Sequence, residues 1–143
     1  MAGILELQEK IAFYGEFHQN PTNQKIHRIC VPMLMFSVLG ILDSIPGPLN
    51  WAYIAVIGLF YYYYRYQSPV VLALSFILAI PALILLSLLG TWEFKISLGL
   101  FVIAFIAEIV GHKIEGTTPA FIENSEMLLI GPLWVFHGYI EYV

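Results

Sequence analysis

The stretch VVLALSFILAIPALILLSLL, residues 70–89, runs for twenty residues without a charge. A helix crossing the ~30 Å hydrocarbon core of a bilayer needs about 20 apolar residues, so this run reads as a membrane span with a kink at Pro81. Three further apolar segments flank it: residues 29–45, broken by Pro46-Gly47-Pro48; residues 51–64, ending in the run YYYYRY; and residues from about 96 to 110. The shorter ones are expected to gain their missing turns from aromatic flanks. Tyrosines 61–64 are read as an interfacial belt around Arg65.

Composition supports this reading. Hydrophobic residues make up 59% of the chain and charged residues 11%, against roughly 25% charged in an ordinary soluble domain. So apolar a chain cannot hide its side chains in one soluble core. The expected architecture is all-α: a polytopic membrane helical bundle of four or five spans, forming a single integral membrane domain over residues 1–143. Gly-x-x-x-Gly patterns are not prominent, so helix association is expected to rest on aromatics and kinks. No basic stripe suggests a nucleic-acid partner. The single Cys30 excludes an internal disulfide and reads as a small buried hydrophobe.

Towards the N-terminus, residues 4–17 place Ile4, Leu7, Ile11 and Tyr14 at helical spacing. The expectation is an N-terminal amphipathic interfacial helix lying along the membrane surface. It lacks the basic n-region of a signal peptide. Asn20-Pro21 then supplies an N-cap and a first-turn proline for a second helix. At the other end, residues 120–143 begin with a polar half around Glu123 and Glu126, and Gly131-Pro132 is expected to divide the apolar remainder. That stretch is read as a fifth span or as two half-helices.

If each segment crosses from a cytoplasmic N-terminus, Lys10, Lys25, Arg28, Arg65 and Lys113 fall on the cytoplasmic side and only Lys95 falls opposite, as the positive-inside rule requires. His18, His27 and His112 then reach one membrane face. The expected location is an inner membrane in a bacterium or the endoplasmic reticulum in a eukaryote.

The chemistry concentrates in FHQNPTNQKIHRI, residues 17–29, and in AEIVGHKIEG, residues 107–116. On one continuous helix His18 and His27 would face opposite sides, but the Asn-Pro break lets a turn aim both at one point. Asn23 shares a helix face with His27, and Glu108, His112 and Glu115 form one stripe. An ionisable residue within an apolar span is a functional candidate by default. Three imidazoles with carboxylates nearby suit a non-haem metal, whereas histidines at headgroup depth also serve as plain caps and anchors. His137 reaches the other three only if Gly131-Pro132 turns the chain back. No phosphate loop, HExxH or GxSxG motif is present.

At FYGEFHQNPTNQKIHRICVP, residues 13–32, and IVGHKIEGTTPAFIEN, residues 109–124, the sequence resembles the small membrane family of the fungal 2-hydroxy fatty acid dioxygenases. The resemblance covers nearly the whole chain. It implies an iron(II)-dependent enzyme that uses molecular oxygen to shorten 2-hydroxy fatty acids by one carbon, with its substrate's tail in membrane lipid. It implies Fe2+ ligands at His18, His27 and His112. His137 has no clear counterpart in the family and is a further candidate only as a histidine that a turned chain could bring to the other three. Lys25, Arg28 and Lys113 are candidates for holding the substrate carboxylate, and Asn23, Glu108 and Glu115 for supporting the ligands. The chain departs from the family pattern at Gln19, where a second adjacent histidine occurs, and at Glu108, where the family carries an amide. Glu108 is therefore expected to accept the second N–H of His112 and to tolerate glutamine, direct ligation being the alternative. Two other classes remain open, a haem-binding or electron-carrying membrane protein and a non-catalytic membrane scaffold.

Overall fold

A computed structural model describes residues 2–137. Among these described residues seven α-helices follow in order: α1 Ala2–Glu16, α2 Pro21–Asp43, α3 Trp51–Tyr64, α4 Pro69–Leu89, α5 Glu93–Glu115, α6 Ala120–Glu123 and α7 Met127–His137, with a 3-10 turn at Gly90–Trp92 between α4 and α5. The helix starts follow from the sequence. The Asn20 side chain accepts from the Thr22 amide ahead of Pro21, Asn50 accepts from Tyr53, and Ser68 accepts from Val71 ahead of Pro69. Each cap satisfies an N–H that the first helical turn leaves without a partner.

Helices α2, α3, α4 and α5 run alternately between two ends of the molecule. Asn50 bonds Asp43 at the far end, while Tyr63 Oη donates to the Leu129 carbonyl at 2.6 Å near α7. Gly90, at φ 54°, reverses the chain, so that Leu86 of α4 and Ser97 of α5 both lie against Gly40 of α2.

The tightest pairing is α2 with α5, antiparallel. Gly40 meets Ser97, Cys30 and Val31 pack with Ala104, and Gly111 meets Asn23 and His27. Small residues let these backbones approach closely. The expectation of association through aromatics and kinks is corrected here: the pair rests on single small residues facing each other across the interface, which no i,i+4 glycine pattern announces.

Aromatics dominate elsewhere. Leu7, Ile11, Tyr14, Tyr63, Tyr66, Met127, Ile130 and Leu133 form the main core where α1, α7 and the α3–α4 turn meet. The expected stripe of α1 is therefore turned inward, with Leu7 fully buried. Its apolar face is taken up by protein rather than by a membrane surface. The tyrosine run also divides: Tyr61 and Tyr64 are exposed, as a belt requires, but Tyr63 and Tyr66 are core residues. Nor do Gly131-Pro132 break the last segment. α7 runs through them, and Gly131 admits the Tyr14 hydroxyl, which would stand 3.0 Å from any Cβ there.

Two helical stretches are long and apolar enough to cross a membrane, α2 and the 47 residues from Pro69 to Glu115 that form α4 and α5. In their most apolar windows only 28% and 22% of residues are buried, whereas the core helix of a soluble protein would be mostly buried. Leu88, Ile77 and Ile103 are among the large apolar side chains that face outward. The expected count of four or five spans is not reached by this measure. α3, at 14 residues, rises only ~21 Å, and the 11 described residues of α7 rise less. The part of the proposed fifth span beyond His137 lies outside the described residues.

Candidate metal centre

His18 stands in the short linker between α1 and α2, His27 on the second turn of α2, and His112 near the end of α5. The antiparallel α2–α5 pair and the Asn20-Pro21 turn bring all three to one end of the molecule, each at least 96% buried. Ring centroids lie 4.2 Å apart for His18 and His27, 5.0 Å for His18 and His112, and 4.9 Å for His27 and His112, in steep edge-to-face geometry. One ring nitrogen from each falls within 4.8 Å of the others.

Two of the rings have their tautomer set by backbone. Nδ1 of His18 donates to the Tyr14 carbonyl at 2.8 Å, and Nδ1 of His27 donates to the Asn23 carbonyl at 3.1 Å. A carbonyl only accepts, so Nδ1 carries the hydrogen and Nε2 presents a lone pair. Among the described residues neither Nε2 has an aligned hydrogen-bond partner, although both are buried, and the same is true of Nδ1 in His112. Burial first, then the neighbouring His27, pushes the His18 imidazole down to a pKa of about 4, so it remains a neutral donor near neutrality. Tyr14 stacks on His18 with centroids 4.4 Å apart and planes 3° from parallel, and Trp134 of α7 covers it from another side at 4.9 Å.

Glu108 approaches this cluster from α5. Its Oε2 lies 2.8 Å from Nε2 of His27 and 3.9 Å from Nε2 of His112, and its Oε1 accepts the Cys30 thiol at 3.4 Å. A carboxylate oxygen and a lone-pair nitrogen at 2.8 Å repel unless positive charge compensates them, from a second proton or a metal ion. Three buried imidazoles whose ring nitrogens converge, with a carboxylate against one of them, offer the nitrogen and oxygen donors of a first-row transition metal. Metal–nitrogen bonds of ~2.0–2.1 Å hold two ligand nitrogens at most ~4.2 Å apart, a spacing of the same order as the grouping of these three rings. The residues fit such an ion.

Glu115 and Asn23 act one layer out. The Glu115 carboxylate accepts the Gln19 amide at 2.8 Å, the Asn20 amide at 2.8 Å and Nδ2 of Asn23 at 3.1 Å. It ties the linker that carries His18 to the end of α5. Lys25 and Arg28 are exposed on α2, and Lys113 is exposed on α5 beside His112. His137 is the last described residue of α7 and is not part of the three-histidine group.

Sequence reading did not single out Trp134, Gly111 or the thiol contact of Cys30. Tyr14 carried a signal, since it precedes His18 by one helical turn. Trp134 carried none, being brought in from α7.

The chain matches the family profile described as 2-hydroxy-palmitic acid dioxygenase Mpo1-like over residues 4–141. It belongs to that family. A relative from Saccharomyces cerevisiae, the 2-hydroxy-palmitic acid dioxygenase MPO1, is 30% identical over 142 residues, covering 96% of this chain and 82% of the yeast protein. No solved structure matches the chain. Both motifs that carried the resemblance lie within the Mpo1-like match, and the structure brings their histidines together at one centre.

Proposed function

We propose that the chain is an iron(II)-dependent dioxygenase that shortens 2-hydroxy fatty acids by one carbon at a membrane surface. The observation that carries this reading is the convergence of His18, His27 and His112 with the Glu108 carboxylate, in a buried pocket with two tautomers preset. The yeast relative's name supports the substrate class and the use of dioxygen.

His18, His27 and His112 would hold the ion, with Glu108 on the same side. Ferrous iron bound there would activate dioxygen for reaction with an organic substrate, whose own oxidation provides the electrons. The protein's own part is positional. The Tyr14 and Asn23 carbonyls aim two nitrogens inward, Tyr14 and Trp134 keep water from His18, and Glu115 holds the linker. A 2-hydroxy acid plus dioxygen, giving the acid one carbon shorter plus carbon dioxide and water, balances without an added reductant. The three rings touch one another edge to face, which leaves no room among them for a porphyrin plane and disfavours the haem reading.

α2 and the α4–α5 hairpin would cross the bilayer with the histidine end in the cytoplasm, because Lys10, Lys25, Arg28, Arg65 and Lys113 gather there and only Lys95 stands at the other end. A bilayer-anchored tail would then present its hydroxyl and carboxylate at the depth of the histidines. Labelling of cysteines introduced at Gln19 and Thr117 from the opposite side would overturn this orientation.

The test of function is aerobic incubation of purified protein with 2-hydroxypalmitate and ferrous ion, followed by mass spectrometry. The acid one carbon shorter is expected from the wild type and not from His18→Ala. Absence of that product, or undiminished product from the variant, overturns the assignment.

A further inference from the structure

A groove of about 590 Å3 opens beside the histidine centre, with Glu108 and His112 at its inner end. That volume lies within the roughly 300–1,000 Å3 usual for sites that take a small organic ligand. One wall is a stripe of α5, in which Ile109 and Phe105 continue the face of His112 by one and two turns, over ~10 Å of helix. The other wall is Phe121 and Ile122, just past the Gly116 turn. Phe105, Ile109 and Ile122 are 42%, 41% and 61% exposed, so the groove borders both the polar centre and the outward apolar face. Lys113 is the one cation among its lining residues; Lys25 and Arg28 do not line it.

We propose that this groove binds the long-chain 2-hydroxy acid itself, entering from the lipid side between α5 and residues 117–122. This deepens the dioxygenase reading and rests on it. Lys113 pairs with the carboxylate, the 2-hydroxyl points towards His112, and the first part of the acyl chain lies on Phe105 and Ile109 before the tail continues into the bilayer. The occupant follows from the lining: one cation beside the metal centre complements one carboxylate, and the remaining walls are apolar and open towards lipid. A polar substrate would leave those walls uncovered.

The test uses the full-length protein in vesicles of neutral phospholipid. Ile109→Trp fills the groove, Lys113→Ala removes the cation and Lys113→Arg restores it, while Ile103→Trp adds the same bulk to α5 outside the groove. Ile109→Trp and Lys113→Ala are each expected to raise KM for 2-hydroxypalmitate roughly tenfold, more than they lower kcat, with metal content unchanged. Lys113→Arg recovers most of the loss, and Ile103→Trp behaves as wild type. In a binding arm that needs no turnover, 2-hydroxypalmitate carrying a photoreactive group on its chain labels the peptide containing Phe105 and Ile109, and unlabelled acid competes. Unchanged KM in both groove variants, or labelling confined to other helices, overturns the groove while leaving the dioxygenase reading intact. A wild-type protein that neither turns over nor binds the acid overturns both.

Discussion

Oε2 of Glu108 lies 2.8 Å from Nε2 of His27, closer than to any nitrogen of the His112 that shares its helix face. Sequence spacing pointed to His112, four residues on, as the partner. Instead the carboxylate reaches across the α2–α5 interface and stands against the Nε2 lone pair of His27. It does not stand behind a ligand, where a supporting acceptor belongs. Glu108→Gln is therefore expected to lower iron affinity by about tenfold or more, because an amide oxygen is a far weaker donor to a cation. Titration of the metal-free protein with ferrous ion, read by calorimetry, measures it. Unchanged affinity would return Glu108 to the supporting role that its spacing suggested.

Gly111 is the point where α5 comes closest to the start of α2. A Cβ there would overlap Oδ1 of Asn23 and sit 3.3 Å from Cε1 of His27. Gly111→Ala is expected to push the two helices apart, with a stability loss of about 1–3 kcal/mol and weaker iron binding, since His27 moves with its helix. Gly99→Ala is the matched control, because nothing lies within 4 Å of a Cβ at that position. There alanine's better helix propensity should hold or raise the Tm. Equal thermal melts for the two variants would show that the close approach is not needed.

Glu115 is a positioning residue. Its carboxylate accepts the Gln19 and Asn20 amides and so fixes the linker that carries His18. Glu115→Ala should accelerate hydrogen exchange at those two amides and weaken iron binding, while the amides of α4 exchange as before. Because the contact lies at the surface, the global Tm should move little. Unaltered exchange at residues 19 and 20 would remove Glu115 from this role.

Much of this site could be read along the chain. The Asn20-Pro21 cap, helix α3 at residues 51–64 and the convergence of three histidines at one end all rest on local signals: capping chemistry, apolar runs, and the alternation of segments. What escaped depends on distant partners. The inward turn of the α1 stripe needs α7 to cover it, and the burial of Tyr63 and Tyr66 needs α1. The contact of Glu108 with His27 depends on the register of α2 against α5, which helical spacing within α5 cannot show. Gly131-Pro132 misled for a related reason. Glycine and proline together suggest a break, yet here the glycine makes room for the Tyr14 hydroxyl, and a proline in the second turn of α7 costs one backbone hydrogen bond.

Glu126 joins three elements at the histidine end. Its carboxylate accepts from Lys10 of α1 and from the Tyr62 hydroxyl of α3, at 2.7 Å for the latter, and lies 3.3 Å from Arg65. Burial works against its ionisation, but the hydrogen bonds from Lys10 and Tyr62 outweigh that and hold the carboxyl below its ordinary value of 4.5. The unfolded chain therefore binds this proton more readily than the folded one. The stabilisation is complete above the ordinary value and drains away as pH falls through the lower folded one. Glu126→Gln should therefore lower the Tm near neutrality and flatten its decline below about pH 4.5, bringing the two melting curves together in acid. Thermal melts of both proteins across that range test the sign. Curves that stay parallel down to the lowest pH would mean that the carboxylate contributes nothing as an anion to holding α1, α3 and α7 together.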